Sequence, residues 1–154
     1  MDKIWAPWRL GYIRGKKQKG CVFCKSIRKQ EDGYVIFKTS QAIAMLNIFP
    51  YNNGHMLISP LRHLSRLDQL TEPEALGLFR AVKKAQGLLE KVLKPQGFNI
   101  GVNLSRSAGA GITGHLHIHI VPRWAGDTNF MPAVFGTKVI SESLEQLCKQ
   151  LRAA

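Results

Sequence analysis

Apolar residues recur along this chain with two different periods, and the change of period divides it into elements. Between residues 34 and 59 they fall in short runs bounded by turn formers. Tyr34–Lys38 and Ala42–Asn47 flank a turn at Thr39-Ser40-Gln41, and His55–Ser59 follows the turn Pro50-Tyr51-Asn52-Asn53-Gly54. These runs predict three strands of an antiparallel meander. From Thr71 the period lengthens. Thr71-Glu72-Pro73-Glu74 supplies a cap, an early proline and first-turn acids, and Ala75, Leu78, Phe79, Val82, Leu89 and Val92 continue as an apolar stripe as far as Pro95. The stripe predicts a helix of about 20 residues. Two more strands are expected at Phe98–Asn103 and His115–Val121, separated by a loop of small residues from Ser105 to Gly114, and Leu144, Leu147 and Leu151 mark a short helix over Ser143–Leu151. The pattern implies an α+β class: an antiparallel sheet of about five strands with one long helix and a short C-terminal helix.

A length of 154 residues with 45% hydrophobic content suits one domain over 1–154. Residues 1–20 form a basic arm expected to lie against the domain or a partner subunit, because Trp5 and Trp8 are costly to leave in water. Residues 125–154 form a C-terminal extension. No apolar run has the length of a membrane span, and the N-terminus lacks the blocks of a signal peptide. Three cysteines argue against a disulfide framework, so a cytoplasmic protein without a membrane partner is expected. Cys148 reads as packing. The net charge is +12, with nine basic residues in the first 29: Lys3, Arg9, Arg14, Lys16, Lys17, Lys19, Lys25, Arg28 and Lys29. Such a field attracts phosphorylated ligands or nucleic acid, or serves only as a solvated segment.

The chemistry concentrates in Gly114-His115-Leu116-His117-Ile118-His119-Ile120-Val121-Pro122. On a strand, alternate side chains share a face, so the three imidazoles point one way and Leu116, Ile118 and Ile120 the other, into a core. Histidine is both a nucleophile toward phosphorus and a zinc ligand. From Gly97 to Gly126 there is no Asp or Glu, and the preceding loop is rich in glycine, which lets backbone amides approach an anion. Positions four apart on a strand are roughly 13 Å apart, so His115 and His119 cannot share one tetrahedral ion. A two-histidine metal site from alternate positions stays open.

The row His115-Leu-His117-Ile-His119-Ile-Val resembles the histidine triad family of nucleotide hydrolases and transferases. The likeness extends to Asn47, Gly54-His55, Ser59-Pro60-Leu61-Arg62-His63, the long helix and the glycine-rich loop. Pro122-Arg123-Trp124 and Gly126-Asp127-Thr128-Asn129-Phe130-Met131 resemble the branch of bacterial diadenosine tetraphosphate phosphorylases and related dinucleoside polyphosphate hydrolases. The resemblance implies nucleotidyl transfer in two steps. His117 attacks the α-phosphate, His119 holds the phosphate or bridging oxygens, and the loop near Gly109, Gly111 and Ile112 stabilises the charge. Asn103 contacts the scissile phosphate, Asn47 the ribose, and His55 supports the cluster. Gly111 and Ile112 stand where hydrolases of the family typically carry polar side chains, which leaves room for inorganic phosphate as acceptor.

Cys21-Val-Phe-Cys24 has the ligand spacing of a zinc knuckle but needs two more ligands. Relatives with this pair recruit residues that correspond to His63 and His115, implying a structural Zn²⁺ held by Cys21, Cys24, His63 and His115. The resemblance also implies a homodimer or higher homo-oligomer built on the long helix. Two competing functions are a nucleotide-binding signalling or interaction module, and deadenylation of adenylated nucleic-acid ends.

Overall fold

A computed structural model describes residues 20–28, 33–128 and 139–154. Trp5, Trp8, the basic residues up to Lys19, Lys29 and the stretch Asn129-Phe130-Met131 lie outside the described residues. The elements run in the order α1 (Val22–Arg28), β1 (Val35–Lys38), β2 (Ala42–Leu46), β3 (Met56–Pro60), α2 (Glu72–Leu93), β4 (Gly97–Val102), β5 (Ile118–Arg123) and α3 (Leu144–Ala153), with short 3-10 turns at Leu67–Gln69 and Arg106–Ala108. The five strands form one antiparallel sheet in the order β1-β2-β3-β5-β4.

Alternation along the strands sends one set of side chains to each face. Ala42, Ala44, Leu46, Met56, Ile58, Ile118 and Ile120 pack under α2 and α3, against Leu78, Ala81, Val82, Ala85, Leu89, Leu147, Cys148 and Leu151. Met45 and Leu57 form a smaller cluster with Phe23 of α1. The long helix begins where Thr71 and Glu74 close a capping box, the Thr71 hydroxyl accepting from the Glu74 amide and the Glu74 carboxylate accepting from the Thr71 amide at 2.9 Å. Arg62 adds a 2.8 Å ion pair to the same carboxylate, and its hydrogen bonds, with those from Thr71, hold Glu74 down to about 2. Cys148 is buried in the main core, as its packing role requires. None of the described helices is long and apolar enough to cross a membrane.

Three expectations need correction. Phe79 belongs to the expected stripe but is 71% exposed, because it lies about 100° around the helix from Leu78, while Leu78, Ala81, Val82, Ala85 and Leu89 line the buried face. The last strand begins at Ile118 rather than His115, and it continues through Pro122 to Arg123. Ahead of it, the Leu116 amide bonds the Leu64 carbonyl at 2.6 Å, and His115, at a bend, and His117 stand outside the ladder. Finally, α1 begins just after Cys21 and includes Cys24, where no helix is expected.

Gly54 ends the turn into β3 at φ +74, and a Cβ there would stand 2.5 Å from Leu93 Cδ1 and 3.0 Å from Pro122 Cγ. Left-handed strain and overpacking combine in a Gly54→Ala substitution, for an expected loss of about 3 kcal/mol in urea unfolding. An unchanged midpoint would mean that the turn re-forms around the methyl group.

Candidate active site and metal cluster

Two groups of side chains meet around the approach to β5. His55 immediately precedes β3 and His119 lies within β5. Register pairing of Leu57 with His119 sets the two imidazoles side by side, with His55 Nε2 and His119 Nδ1 2.9 Å apart. His117 joins them, its ring centroid 4.9 Å from that of His119. Tyr51 covers the pair, 4.5 Å from the His55 ring and stacked 5.7 Å from His119 at 13°.

Backbone partners decide where the protons are. An amide N–H only donates, so the 3.0 Å bond from the Tyr51 amide makes His55 Nδ1 an acceptor and puts the His55 proton on Nε2. That Nε2–H donates to His119 Nδ1, which leaves the His119 proton on its own Nε2. His119 Nε2 is the one buried side-chain nitrogen or oxygen among the described residues without a hydrogen-bond partner. His117 has the opposite tautomer. Its Nδ1–H donates to the His115 carbonyl at 2.8 Å, so its lone pair is on Nε2. The site thus holds a basic nitrogen on one ring and an unused buried N–H on the next.

Burial keeps these rings neutral. It lowers His117, and it lowers His119 to about 4 with help from the neighbouring His117. His55 is fully buried and falls to about 3, first through burial and then through His119 and His117. The unfolded chain, with histidines near 6.5, binds protons that the folded chain refuses. The stability that rests on neutral rings is therefore complete above pH 6.5 and is lost as the pH falls toward 4 and then 3. Between pH 6.5 and 4.5, before most unfolded carboxylates titrate, the unfolding free energy should drop by roughly 3 kcal/mol. Urea titrations across that window test this, and a protein combining His55→Asn with His119→Asn should lose most of the slope, with a remainder from His117.

The remaining expected contacts are met unevenly. Asn47 reaches His55 Nδ1 at 3.3 Å through Nδ2, while its Oδ1 accepts the Phe49 amide at 2.9 Å, a bond that shapes the turn. Asn103 follows β4, and continuing the β4–β5 register places it across from His117. Its amide nitrogen would be 3.9 Å from a Cβ on Gly109. Gly109 itself adopts a left-handed conformation and donates its amide to Arg106 inside the loop, which leaves Gly111 and Ile112 as the amides nearer the histidines in sequence. The Ile112 side chain packs on the Phe23 cluster.

The second group is Cys21, Cys24, His63 and His115, whose ligand atoms all lie within 4.8 Å of one another. Cys21 Sγ is 3.2 Å from His115 Nδ1, and Cys24 Sγ is 3.2 Å from His63 Nδ1. His115 Nε2 donates to the Pro60 carbonyl at 3.0 Å, which frees Nδ1 as the ligating nitrogen. Two thiols and two imidazoles this close fit a tetrahedral zinc ion and would make a closed site. Phe23 lies between the groups, its ring 5.1 Å from His115 and 5.2 Å from His117. Sequence reasoning passes over Phe23 and Tyr51, because an aromatic in a cysteine pair or a turn has no motif of its own.

A family model described as HIT domain matches residues 28–126. A protein named AP-4-A phosphorylase from Mycobacterium tuberculosis is 36% identical over 154 residues, covering 94% of this chain and 79% of that protein. A bis(5'-nucleosyl)-tetraphosphatase (asymmetrical) from Schizosaccharomyces pombe is 38% identical over 93 residues, 60% of this chain and 50% of that protein. Among solved structures, a hypothetical histidine triad nucleotide-binding protein from Sulfolobus tokodaii superimposes with a TM-score of 0.71 at 30% identity, covering 86% of this chain and 90% of that one.

Proposed function

The chain belongs to the HIT family, and on that premise we propose that it is an enzyme transferring a nucleotidyl group from dinucleoside polyphosphates of the diadenosine tetraphosphate type through His117. The observation that carries the proposal is the opposed tautomers of His117 and His119. The names of the mycobacterial and yeast relatives support the substrate class.

In this reading the His117 Nε2 lone pair attacks the α-phosphorus, a P–N bond forms, and the bridging P–O bond breaks to release the remaining nucleotide with the bond's electron pair. The positive charge that develops on the imidazole is shared with the His115 carbonyl through Nδ1–H. His119 Nε2–H donates to a phosphate oxygen as charge builds there, and the chain of bonds from the Tyr51 amide through His55 keeps that proton in place. The amides near Gly111 and Ile112 add donors, and Asn103 and Asn47 orient phosphate and ribose. A second acceptor then attacks phosphorus from the vacated side and returns His117 to its neutral form.

We assign that acceptor as inorganic phosphate, because Gly111 and Ile112 offer backbone and no polar side chain at those two positions to direct water. Diadenosine tetraphosphate incubated with phosphate should yield ADP and ATP. AMP and ATP alone, with phosphate present, would make the enzyme a hydrolase, and ligand binding without any product would make it a binding module. Zinc belongs to the same reading as a structural ion held by Cys21, Cys24, His63 and His115, where it supplies a closed cross-link and no chemistry on substrate. We also read the chain as one domain that self-associates through its long helix, where Leu76 and Phe79 are exposed.

A further inference from the structure

We propose that Phe23 is a positioning residue for His117, through which the Cys21, Cys24, His63 and His115 cluster sets the attitude of the nucleophilic ring. The proposal rests on the assignment of His117 above.

A helix of seven residues does not hold itself in water. What anchors α1 is Phe23, which is fully buried against Met45 and Leu57. Its neighbours in sequence are the two thiols, and these contact His115 and His63. The place of the Phe23 ring is thus specified from both ends of the Cys21–Cys24 turn as well as from the sheet. On its other side that ring meets His115 and His117 at nearly equal distances, tilted 54° and 35°.

His117 needs such a wall. The Nδ1–H bond to the His115 carbonyl fixes one edge of its ring and leaves a swing about that bond. The His119 ring at 4.9 Å and the Phe23 ring at 5.2 Å are the neighbours that limit the swing. The carbonyl and the wall both lead back to the cluster, since His115 supplies the carbonyl and Phe23 sits between the cysteines. In-line attack requires reacting atoms about 3–3.5 Å apart and aligned, and a displacement of about 1 Å costs on the order of a hundredfold in rate. A ring free to swing toward the place of Phe23 loses that alignment while the nucleotide still binds.

The test compares wild type, Phe23→Leu, Phe23→Ala and, as a control for a simple loss of stability, Leu147→Ala in the main core, which does not include Phe23. Zinc content, kcat, KM and the long-range nitrogen–proton NMR signals of the His117 ring are measured on each. The expected result for Phe23→Leu is about a tenfold fall in kcat with KM within twofold, unchanged zinc content, and a His117 signal that broadens or divides between tautomers. Phe23→Ala should be worse in the same direction, and Leu147→Ala should keep kcat within twofold at a comparable loss of melting temperature. Wild-type kcat and an unchanged His117 signal in both Phe23 variants would overturn the proposal. So would a matching fall in kcat in Leu147→Ala, or a loss confined to KM and zinc content. If wild type turns over no dinucleoside polyphosphate, the functional assignment fails, and the NMR comparison alone decides whether Phe23 holds the ring.

Discussion

His117→Ala should lower turnover of diadenosine tetraphosphate by about 10⁴-fold or more, because it deletes the atom on which the P–N bond forms. The neighbouring groups cannot take over. His119 presents a proton rather than a lone pair to the substrate, and His55 has both nitrogens engaged, one by the Tyr51 amide and one by His119. Binding should survive, since the loop amides, Asn47 and Asn103 remain, so AMP affinity is expected within a few-fold of wild type. In the absence of an acceptor the wild-type protein should accumulate label from an α-phosphate-labelled substrate. The quench must be alkaline and denaturing, because a phosphoramidate is labile to acid. The label should map to residue 117 and be missing from the variant. A variant that retains kcat within tenfold would remove His117 from the mechanism, and a labelled variant would mean another side chain is the acceptor. His119→Ala removes a hydrogen bond to the developing charge rather than a bond to phosphorus, so its loss should be smaller, about 10²- to 10³-fold.

The contrast between those two histidines is the part of the site that residue order does not contain. An alternating row puts three imidazoles in a file, but which nitrogen of each carries the proton depends on partners distant in sequence: the Tyr51 amide acting through His55, and the carbonyl of His115. The strands and α2 were legible to within a residue or two, because their boundaries are set by periods and caps local to each segment. The start of β5 was not, since the His-Leu-His-Ile-His alternation does not say where the ladder begins, and the Leu116 amide is instead committed to the Leu64 carbonyl ahead of it. The segment Val22–Arg28 has too few residues to display a helical period, and its form depends on Phe23 finding the far face of the sheet. Phe79 is apolar yet exposed, because membership of a stripe is a matter of angle and not of composition alone. The grouping of Cys21, Cys24, His63 and His115, by contrast, came from a resemblance of motifs, and their gathering within 4.8 Å is a property of the tertiary fold.

Removing the proposed zinc ion, or one of the four side chains assigned to it, should be the largest single blow to stability. The cluster joins α1 to the segment after β3 and to the approach to β5, with contacts across separations of 39 and 94 residues. Cross-links across spans of this size withdraw roughly 4–5 kcal/mol each from the unfolded ensemble, and they are not additive here because they share ligands. A net loss of about 5 kcal/mol corresponds to a melting temperature lower by roughly 10–20 °C for a domain of this size. Without metal the same groups offer little in return. Burial raises the Cys24 thiol, with the Cys21 hydrogen bond acting in the same direction, so that thiol stays protonated at neutral pH and makes only weak sulfur–imidazole contacts. Metal uptake must therefore expel the Cys24 proton. Affinity should fall as the pH is lowered, and zinc added in weak buffer should acidify it. Cys24→Ala and chelator treatment of wild type should depress the melting curve alike, with about one zinc per chain lost in each. Cys148→Ala, which opens the main core, should cost stability while its zinc content stays at the wild-type value. A chelator that leaves the melting temperature within 2 °C, or a purified protein with less than a tenth of an equivalent of metal and a wild-type melt in Cys24→Ala, would reduce the cluster to a thiol–imidazole contact.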